Sequence, residues 1–203
     1  PKGSLTYVPN PGFYGLDQFT YKAYDTLNYS NTATVSIRVF RPLGPIGSAA
    51  LGGQDPSTAA LRELWYQFKT TQPGYVTLEA VAGGSTLWLY DSSFRQVALS
   101  TSLPDRARIN VSTAAAGVTY YVKLSGTSNS IKLQMANLVA KNGTALAVSG
   151  TNGNDRFEVA AGTFAIVING IRYSPADYGA PAVTSVTFDG GLGKFDGVAS
   201  LSV

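Results

Sequence analysis

The sequence predicts an all-β protein built of tandem antiparallel β-sandwich modules. The main evidence is a series of short segments between Leu64 and Met135 in which every second residue is apolar. This is the period of a half-buried strand rather than of a helix. Turn residues are frequent, with 22 glycines and 10 prolines in 203 residues. Charged residues make up 13% of the chain, well below the roughly 25% of average domains, which is typical of an extracellular β protein.

The central module is assigned to residues 42–140. Its alternating segments are residues 64–68, 75–80, 87–91, 106–111, 120–124 and 131–135. As strands they collect one apolar face: Leu64, Tyr66, Phe68, Val76, Leu78, Leu87, Leu89, Ile109, Val111, Tyr120, Val122, Leu124, Ile131, Leu133 and Met135. Two antiparallel sheets packed on that face make a sandwich.

The opposite face of the same strands carries candidate binding residues. Trp65, Trp88, Tyr90 and Tyr121 fall there. Exposed aromatic rings stack on sugars, and they also cover contacts between domains, which is the interpretation that the sequence favours. Four cationic side chains share the outward faces and are expected to be solvated; they are Arg106, Arg108, Lys123 and Lys132.

Composition excludes several classes of function. Histidine and cysteine are both absent, so neither a Ser-His-Asp nor a Cys-His site can be built. No two carboxylates stand in a setting that suggests a catalytic pair, and we expect no enzymatic activity. The net charge of +3 comes without a dense basic run, which argues against nucleic acid as a partner. No apolar run approaches the ~20 residues that span a bilayer.

The first 41 residues predict three strands. The first covers residues 4–8, the second places Phe19 and Tyr21 on one face, and the third places Val35 and Val39 inward. Prolines and glycines between the first two strands force a tight connection. Residues 41–45, which include two prolines, are expected to be a stiff linker.

This stretch resembles the C-terminal half of the Ig-like and cadherin-like tandem repeats of bacterial surface proteins. The residues that fit the repeat are Tyr7, Pro9, Gly12, Phe13, Gly15, Asp17, Phe19, Tyr21, Asp25, Ala33, Val35 and Val39. Some repeats of this family bind calcium between domains, so the resemblance makes Asp17 and Asp25 candidate ligands. The local sequence favours Asp17 as a clamp that accepts backbone hydrogen bonds. The resemblance implies a partial module, and hence a piece of a longer polypeptide.

The central module resembles the bacterial pre-peptidase C-terminal domain, a jelly-roll sandwich appended to secreted enzymes and surface proteins. The similarity spans residues 46–139 and rests on the segments at 64–68, 74–78, 87–91 and 116–126. The family usually carries an aspartate before its first aromatic strand, where this chain has Arg62 and Glu63.

Residues 141–203 predict a β-rich segment with two glycine-rich turns. The turns end in Asp155 and Asp196, the second beginning at Asp189, and both resemble degenerate hemolysin-type calcium repeats, as at the start of a β-roll or β-helix. The resemblance is closest to repeats in planctomycete-type surface proteins. It makes Asp155, Asp189 and Asp196 candidate calcium ligands, although turns without an ion are favoured because calcium needs more oxygens. Asn169-Gly170 between the turns is a strong hairpin signal.

Two functions follow from these resemblances. The first is a structural or adhesive segment of a large secreted protein on the bacterial cell surface. Its partners would be neighbouring domains or copies of the chain, joined by strand pairing into a fibre. The alternative is an accessory carbohydrate- or matrix-binding module of an exported hydrolase, with Trp65, Trp88 and Tyr90 as a platform for polysaccharide. Neither function requires a cofactor, calcium being the one candidate.

Overall fold

The computed structural model describes residues 4–51, 63–81, 84–113, 115–126, 131–160 and 162–190. The first strands along the chain are β1 (Gly15–Tyr21), β2 (Ala33–Val39), β3 (Arg41–Ile46), β4 (Ser48–Leu51), β5 (Glu63–Thr70), β6 (Gly74–Val81), β7 (Thr86–Tyr90), β8 (Gln96–Leu99) and β9 (Thr101–Ser102). They are followed by β10 (Arg106–Thr113), β11 (Thr119–Ser125), β12 (Lys132–Asn142), β13 (Ala145–Ser149), β14 (Phe157–Ala160), β15 (Ala165–Ile168), β16 (Ile171–Tyr173), α1 (Pro175–Tyr178) and β17 (Ser185–Asp189). The all-β prediction is confirmed. In these ranges no helix is long and apolar enough to cross a membrane.

Two sheets enclose the main core. One has five strands in the order β3-β5-β11-β7-β8, and the other has seven, with β17-β13-β12-β6-β10-β9 in line and β4 beside β12. Alternation places the apolar side chains of both sheets in the space between them. Every residue that the sequence assigned to the inner face lies in this core or packs against it.

Strand β12 belongs to two cores. Leu133 and Met135 lie in the first core, whereas Leu138 and Val139 lie in a second one. An irregularity in the pairing with β6 falls between Ala136 and Val139, and such a bulge changes the face that a strand buries. The predicted boundary at residues 140 and 141 therefore falls inside a continuous strand.

The second core lies between this extended sheet and a C-terminal meander. Strands β14, β15 and β16 pair antiparallel. Asn169 and Gly170 form the turn of the last pair with φ values of 51° and 86°, which confirms the predicted hairpin. Strand β17 instead pairs with β13 in parallel, Ser149 opposite Asp189. The two glycine-rich turns therefore begin side by side.

Between residues 4 and 39 the chain forms one two-stranded hairpin. Strands β1 and β2 pair antiparallel, with Phe19 opposite Val35 and Tyr21 opposite Ala33. The strand predicted at residues 4–8 is not formed, so that prediction is wrong. Leu5 and Val8 remain 69% and 79% exposed, and strand formation there would gain no burial in the described chain.

The predicted linker is also wrong, because residues 41–46 form β3. This strand pairs in parallel with β5, and its register shifts between Pro42 and Gly44. Proline is tolerated here since β3 lies at the edge of its sheet, where one side of the backbone needs no partner. Phe40 alone separates the hairpin from the sandwich.

Candidate functional site

The predicted aromatic residues lie together on the outer face of the five-stranded sheet. Trp65 of β5 and Trp88 of β7 both lie opposite Lys123 of β11, and Tyr121 lies opposite Tyr90. Cross-strand neighbours on one face are about 4.5–5.5 Å apart at Cβ, so these rings form one continuous strip. We call Trp65, Trp88, Tyr90 and Tyr121 the aromatic strip.

The strip is not an open platform. Phe40 packs edge-on against Trp65 with centroids 5.8 Å apart, and its ring lies 4.7 Å from that of Tyr121. Phe94 stacks on Tyr121 at 4.3 Å. Trp65 is left only 3% exposed. Trp65, which the sequence suggested as part of a platform for polysaccharide, is therefore closed to a ligand. Its cover is Phe40, the residue between the hairpin and the sandwich.

Charged groups fix the same contact. Lys123 Nζ lies 2.6 Å from a Glu63 oxygen, and the Trp65 indole N–H donates to the other oxygen at 2.7 Å. The Lys123 ammonium also lies 4.8 Å from the Trp88 ring centroid, and the Arg38 guanidinium lies 5.3 Å from that of Trp65. Cations attracted to ring faces in this way add to the packing.

The carboxyl of Glu63 responds to this environment. Burial by itself would raise its pKa, but the hydrogen bonds from Lys123 and Trp65, together with the positive charges of Lys123 and Arg38, hold the pKa below its ordinary value. The carboxylate is thus charged at neutral pH and neutralises Lys123. The aromatic strip thus connects the hairpin to the sandwich through ring contacts and through the cations beside the rings.

Hydrogen-bond donors occupy the carboxylate of Asp155, one of the acids predicted as calcium ligands. Asp155 is buried, and its carboxylate accepts bonds from Thr151 N at 2.6 Å, Thr151 Oγ1 at 3.0 Å and Asn169 Nδ2 at 2.7 Å. Its role in the geometry is a clamp across the turn. At Gly150 a Cβ atom would lie 2.6 Å from the Gly190 carbonyl oxygen, so the close approach of these two backbone segments requires glycine there.

The acids of the hairpin behave alike. Asp17 accepts a bond from Tyr7 Oη at 2.7 Å and from Gln18 N at 2.8 Å. Asp25 accepts bonds from the N–H groups of Asn28 and Leu27, which hold its pKa below the ordinary value. Asp25 stabilises a local turn, whereas Asp17 lies within β1, where it holds the Tyr7 hydroxyl and accepts one backbone bond of the kind that the sequence favoured.

The remaining two acids are placed differently. Asp189 ends β17, and its carbonyl oxygen accepts a bond from Gly150 N at 2.6 Å. Asp196 lies outside the described residues. Within the described part of the chain, no three His, Cys, Asp or Glu residues are grouped as a metal site.

Sequence reasoning missed a buried charged cluster on the outer face of the seven-stranded sheet. Glu79 of β6 is 1% exposed and accepts bonds from Arg108 and, at 3.2 Å, from Arg106. Arg108 also donates to Asp177 of α1 at 3.2 Å. The expectation of a solvated Arg108 is wrong because α1 covers it. The available signal was that Glu79 and Arg108 oppose each other on outward positions of neighbouring strands.

The meander closes over this cluster. Tyr173 is fully buried, and the Arg108 guanidinium lies 5.4 Å from the centroid of its ring. Burial raises the pKa of the Tyr173 phenol to about 12. Lys141 Nζ donates to the carbonyls of Tyr178, Gly179 and Pro181 at 3.1, 2.7 and 2.5 Å. These contacts pack the C-terminal segment onto the sandwich.

This architecture is an all-β chain of packed sheets that begins with a two-stranded hairpin. Residues 1–38 match the bacterial Ig domain family. Among solved structures, the chain is similar to the pre-peptidase C-terminal domain of collagenase from Bacillus anthracis. That similarity has a TM-score of 0.36 and 12% identity, and covers 49% of this chain and 97% of the other. No curated protein matches.

Proposed function

We propose that this chain is a non-catalytic structural segment of a large secreted protein of the bacterial surface, which acts by assembly and attachment. The observation that carries the proposal is the joint at Phe40. A surface protein that must hold its modules in fixed orientation needs a joint without a free linker, and inter-domain motion is otherwise the default. Here β2 passes into β3 through one residue, and that residue is packed on Trp65 and Tyr121.

The second support is the concentration of exposed apolar side chains on and around the hairpin. They are Leu5, Val8, Tyr21, Tyr24, Leu27 and Tyr29, each at least 53% exposed. Exposed apolar patches on monomeric proteins mark interaction sites. Hairpins of two strands are marginal alone and have open edges that pair with further strands. The proposed contact is therefore lateral association of copies through the hairpin.

Sedimentation velocity over a range of concentrations tests this proposal. We expect reversible association of the chain, which the double variant Tyr21→Ser/Leu27→Ser weakens by removing apolar contact area. The matched control is Leu99→Ser/Leu103→Ser, which removes apolar groups that are 53% and 45% exposed at the sandwich edge. A chain that stays monomeric at every concentration contradicts assembly through the hairpin. So does an equal effect of the control variant.

A further inference from the structure

Strand β2 of the hairpin has one open edge. On one side it pairs with β1 along its whole length, and among the described residues these two strands make up the entire sheet. On the other side, no strand or turn of the described chain bonds to its backbone. Such an edge presents a row of N–H and C=O groups on which a further strand can form.

The edge changes character after Phe40. Strand β3 continues it, because β1 and β5, the partners of β2 and β3, also contact each other. In β3 the residues Pro42 and Pro45 offer no N–H to a further strand, which is a common protection of sheet edges. Strand β2 contains neither proline nor glycine, and Arg38 is its one charged residue. One half of the edge is therefore protected, and the other half is able to pair.

The seven residues of β2 are complementary to the same residues in reverse order. Antiparallel pairing of two copies over the whole strand places Ser36 opposite Ser36 of the second copy, on a two-fold axis. Val35 then lies opposite Ile37, and Arg38 lies opposite Thr34. Apolar side chains therefore meet apolar ones, and no like charges are directly opposed, which favours the pairing.

The faces of β2 exclude the other arrangements of two copies. Val35 and Ile37 are half-buried on one face, whereas Thr34, Ser36 and Arg38 are exposed on the other. A two-fold rotation about an axis perpendicular to the sheet joins the open edges and keeps both apolar faces on one side. Parallel pairing of the same edges would turn one sheet over. A slip by one residue would also set apolar side chains beside polar ones.

The same register brings the apolar tip of each hairpin to the other copy. Leu27 and Tyr29 lie in the connection between β1 and β2 and are 84% and 70% exposed. Because Ala33 lies opposite Val39 of the second copy, the tip that precedes Ala33 extends beside the segment that begins at Phe40. The exposed groups thus gain apolar contact, and the two-fold symmetry repeats that contact.

We infer that two copies of this chain form a closed dimer in which β2 pairs antiparallel with β2 of the second copy. The dimer rests on the proposed function, association through the hairpin, and specifies the strand, the register and the number of copies. Backbone hydrogen bonds between the two strands supply affinity, and the alternation of side chains selects the register. Because the pairing uses the open edge of each copy, this contact ends at two copies and does not extend into a fibre.

Single-cysteine variants test the pairing, since the chain has no cysteine of its own. Ser36→Cys places two thiols on the axis with Cα atoms about 5 Å apart, within the range of a disulfide. The matched control is Gln18→Cys, because Gln18 lies opposite Ser36 on β1 and is likewise exposed. Its two copies would be three strand spacings apart, about 14 Å. Mild oxidation of the associated chain should yield covalent dimer at least about tenfold faster from Ser36→Cys.

Two further measurements check the register without a disulfide at the axis. A mixture of Thr34→Cys and Arg38→Cys should yield more covalent heterodimer than either variant alone yields homodimer. Ser36→Lys opposes two like charges on the axis and should raise the dissociation constant of the dimer about threefold in sedimentation. Gln18→Lys, its matched control, should leave that constant unchanged.

The outcomes separate this dimer from the broader proposal. Equal cross-linking of Ser36→Cys and Gln18→Cys, together with equal effects of the two lysine variants, overturns the β2 contact and leaves association through the hairpin intact. Association that continues beyond the dimer when Ser36→Cys is fully cross-linked overturns the closed stoichiometry. A chain that stays monomeric at every concentration overturns both the dimer and the proposed association.

Discussion

The hairpin of β1 and β2 and the sandwich around β6 share the same alternation of apolar and polar residues, yet they differ in burial. Gly15 is the one buried residue in the two hairpin strands, both fully described, and β2 alternates half-buried with exposed positions. In β6, by contrast, Val76, Leu78 and Ala80 are at most 1% exposed. Alternation therefore specifies a strand, whereas burial needs a second layer to cover one face.

Truncation of an apolar side chain in each region gives the largest contrast. Leu78→Ala leaves a cavity in the packed core and should lower the free energy of unfolding by about 2–5 kcal/mol. Val35→Ala in the hairpin should cost less than about 1 kcal/mol, because its side chain is already partly solvated. Urea denaturation followed by circular dichroism measures both. Similar losses in the two variants would mean that the hairpin face is buried in solution.

The turn carboxylates allow a second comparison. Asp155→Asn replaces one carboxylate oxygen by an N–H₂ group, which then faces the donor on that side, Thr151 N or Asn169 Nδ2, and it should cost about 1–3 kcal/mol. Asp25→Asn should be nearly neutral, because an asparagine oxygen accepts the same bonds from Leu27 and Asn28. Thermal unfolding measures both variants.

Calcium chelation completes that comparison. Since donors already occupy the Asp155 carboxylate, we expect an equal melting temperature with chelator and with added calcium. A ligand held only by the folded state raises stability. A clear rise with calcium would show that Asp155 or Asp189 exchanges its donors for an ion.

A substitution at Phe40, between the hairpin and the sandwich, should change the free energy of unfolding less than the core variant does, but it should clearly change the shape of the protein in solution. Phe40→Ala removes the ring packed on Trp65 and Tyr121, at a cost of about 1 kcal/mol. It should broaden the distance distribution in small-angle X-ray scattering and shift tryptophan emission to the red as Trp65 becomes solvated. Phe94→Ala removes a ring that stacks on Tyr121 and contacts Phe40 from one side, but it leaves the contacts of Phe40 with Trp65 and Tyr121 in place, so its scattering should change less than that of Phe40→Ala.

The smallest expected effect is the pH dependence of this joint. The folded pKa of Glu63 is lowered, so the unfolded state takes up the proton first as pH falls. The stabilisation by Glu63 is therefore complete above the unfolded pKa of about 4.3 and disappears as pH falls through the folded value. Glu63→Gln should remove this component. Equal acid dependence of both proteins between pH 6 and 3 would contradict a role for the Glu63 charge.

Much of the sandwich was predictable because strand period and inner face are local properties of the sequence. Leu78 lies between Thr77 and Glu79 in sequence and is fully buried, as are Leu89 and Val122, whose neighbours are aromatic or charged. The strip residues were predictable as outward-facing for the same reason. That Phe40 covers Trp65 was not predictable, since nothing near Trp65 in sequence indicates this contact.

The failed predictions have equally specific causes. Proline in residues 41–45 suggested a linker, but an edge strand tolerates proline because half of its backbone groups need no partner. Arg108 was predicted to be solvated, yet its partner Asp177 is 69 residues away in sequence.

The sequence by itself determined that this chain forms strands, which side chains of the sandwich face inward, and where the Asn169-Gly170 turn lies. These features depend on the pleat of a strand and on the backbone preferences of single residues. Only the tertiary structure decided which outward-facing groups are covered, as Trp65, Glu79 and Arg108 are. Those outcomes depend on contacts between segments far apart in the chain, and a local pattern carries no information about them.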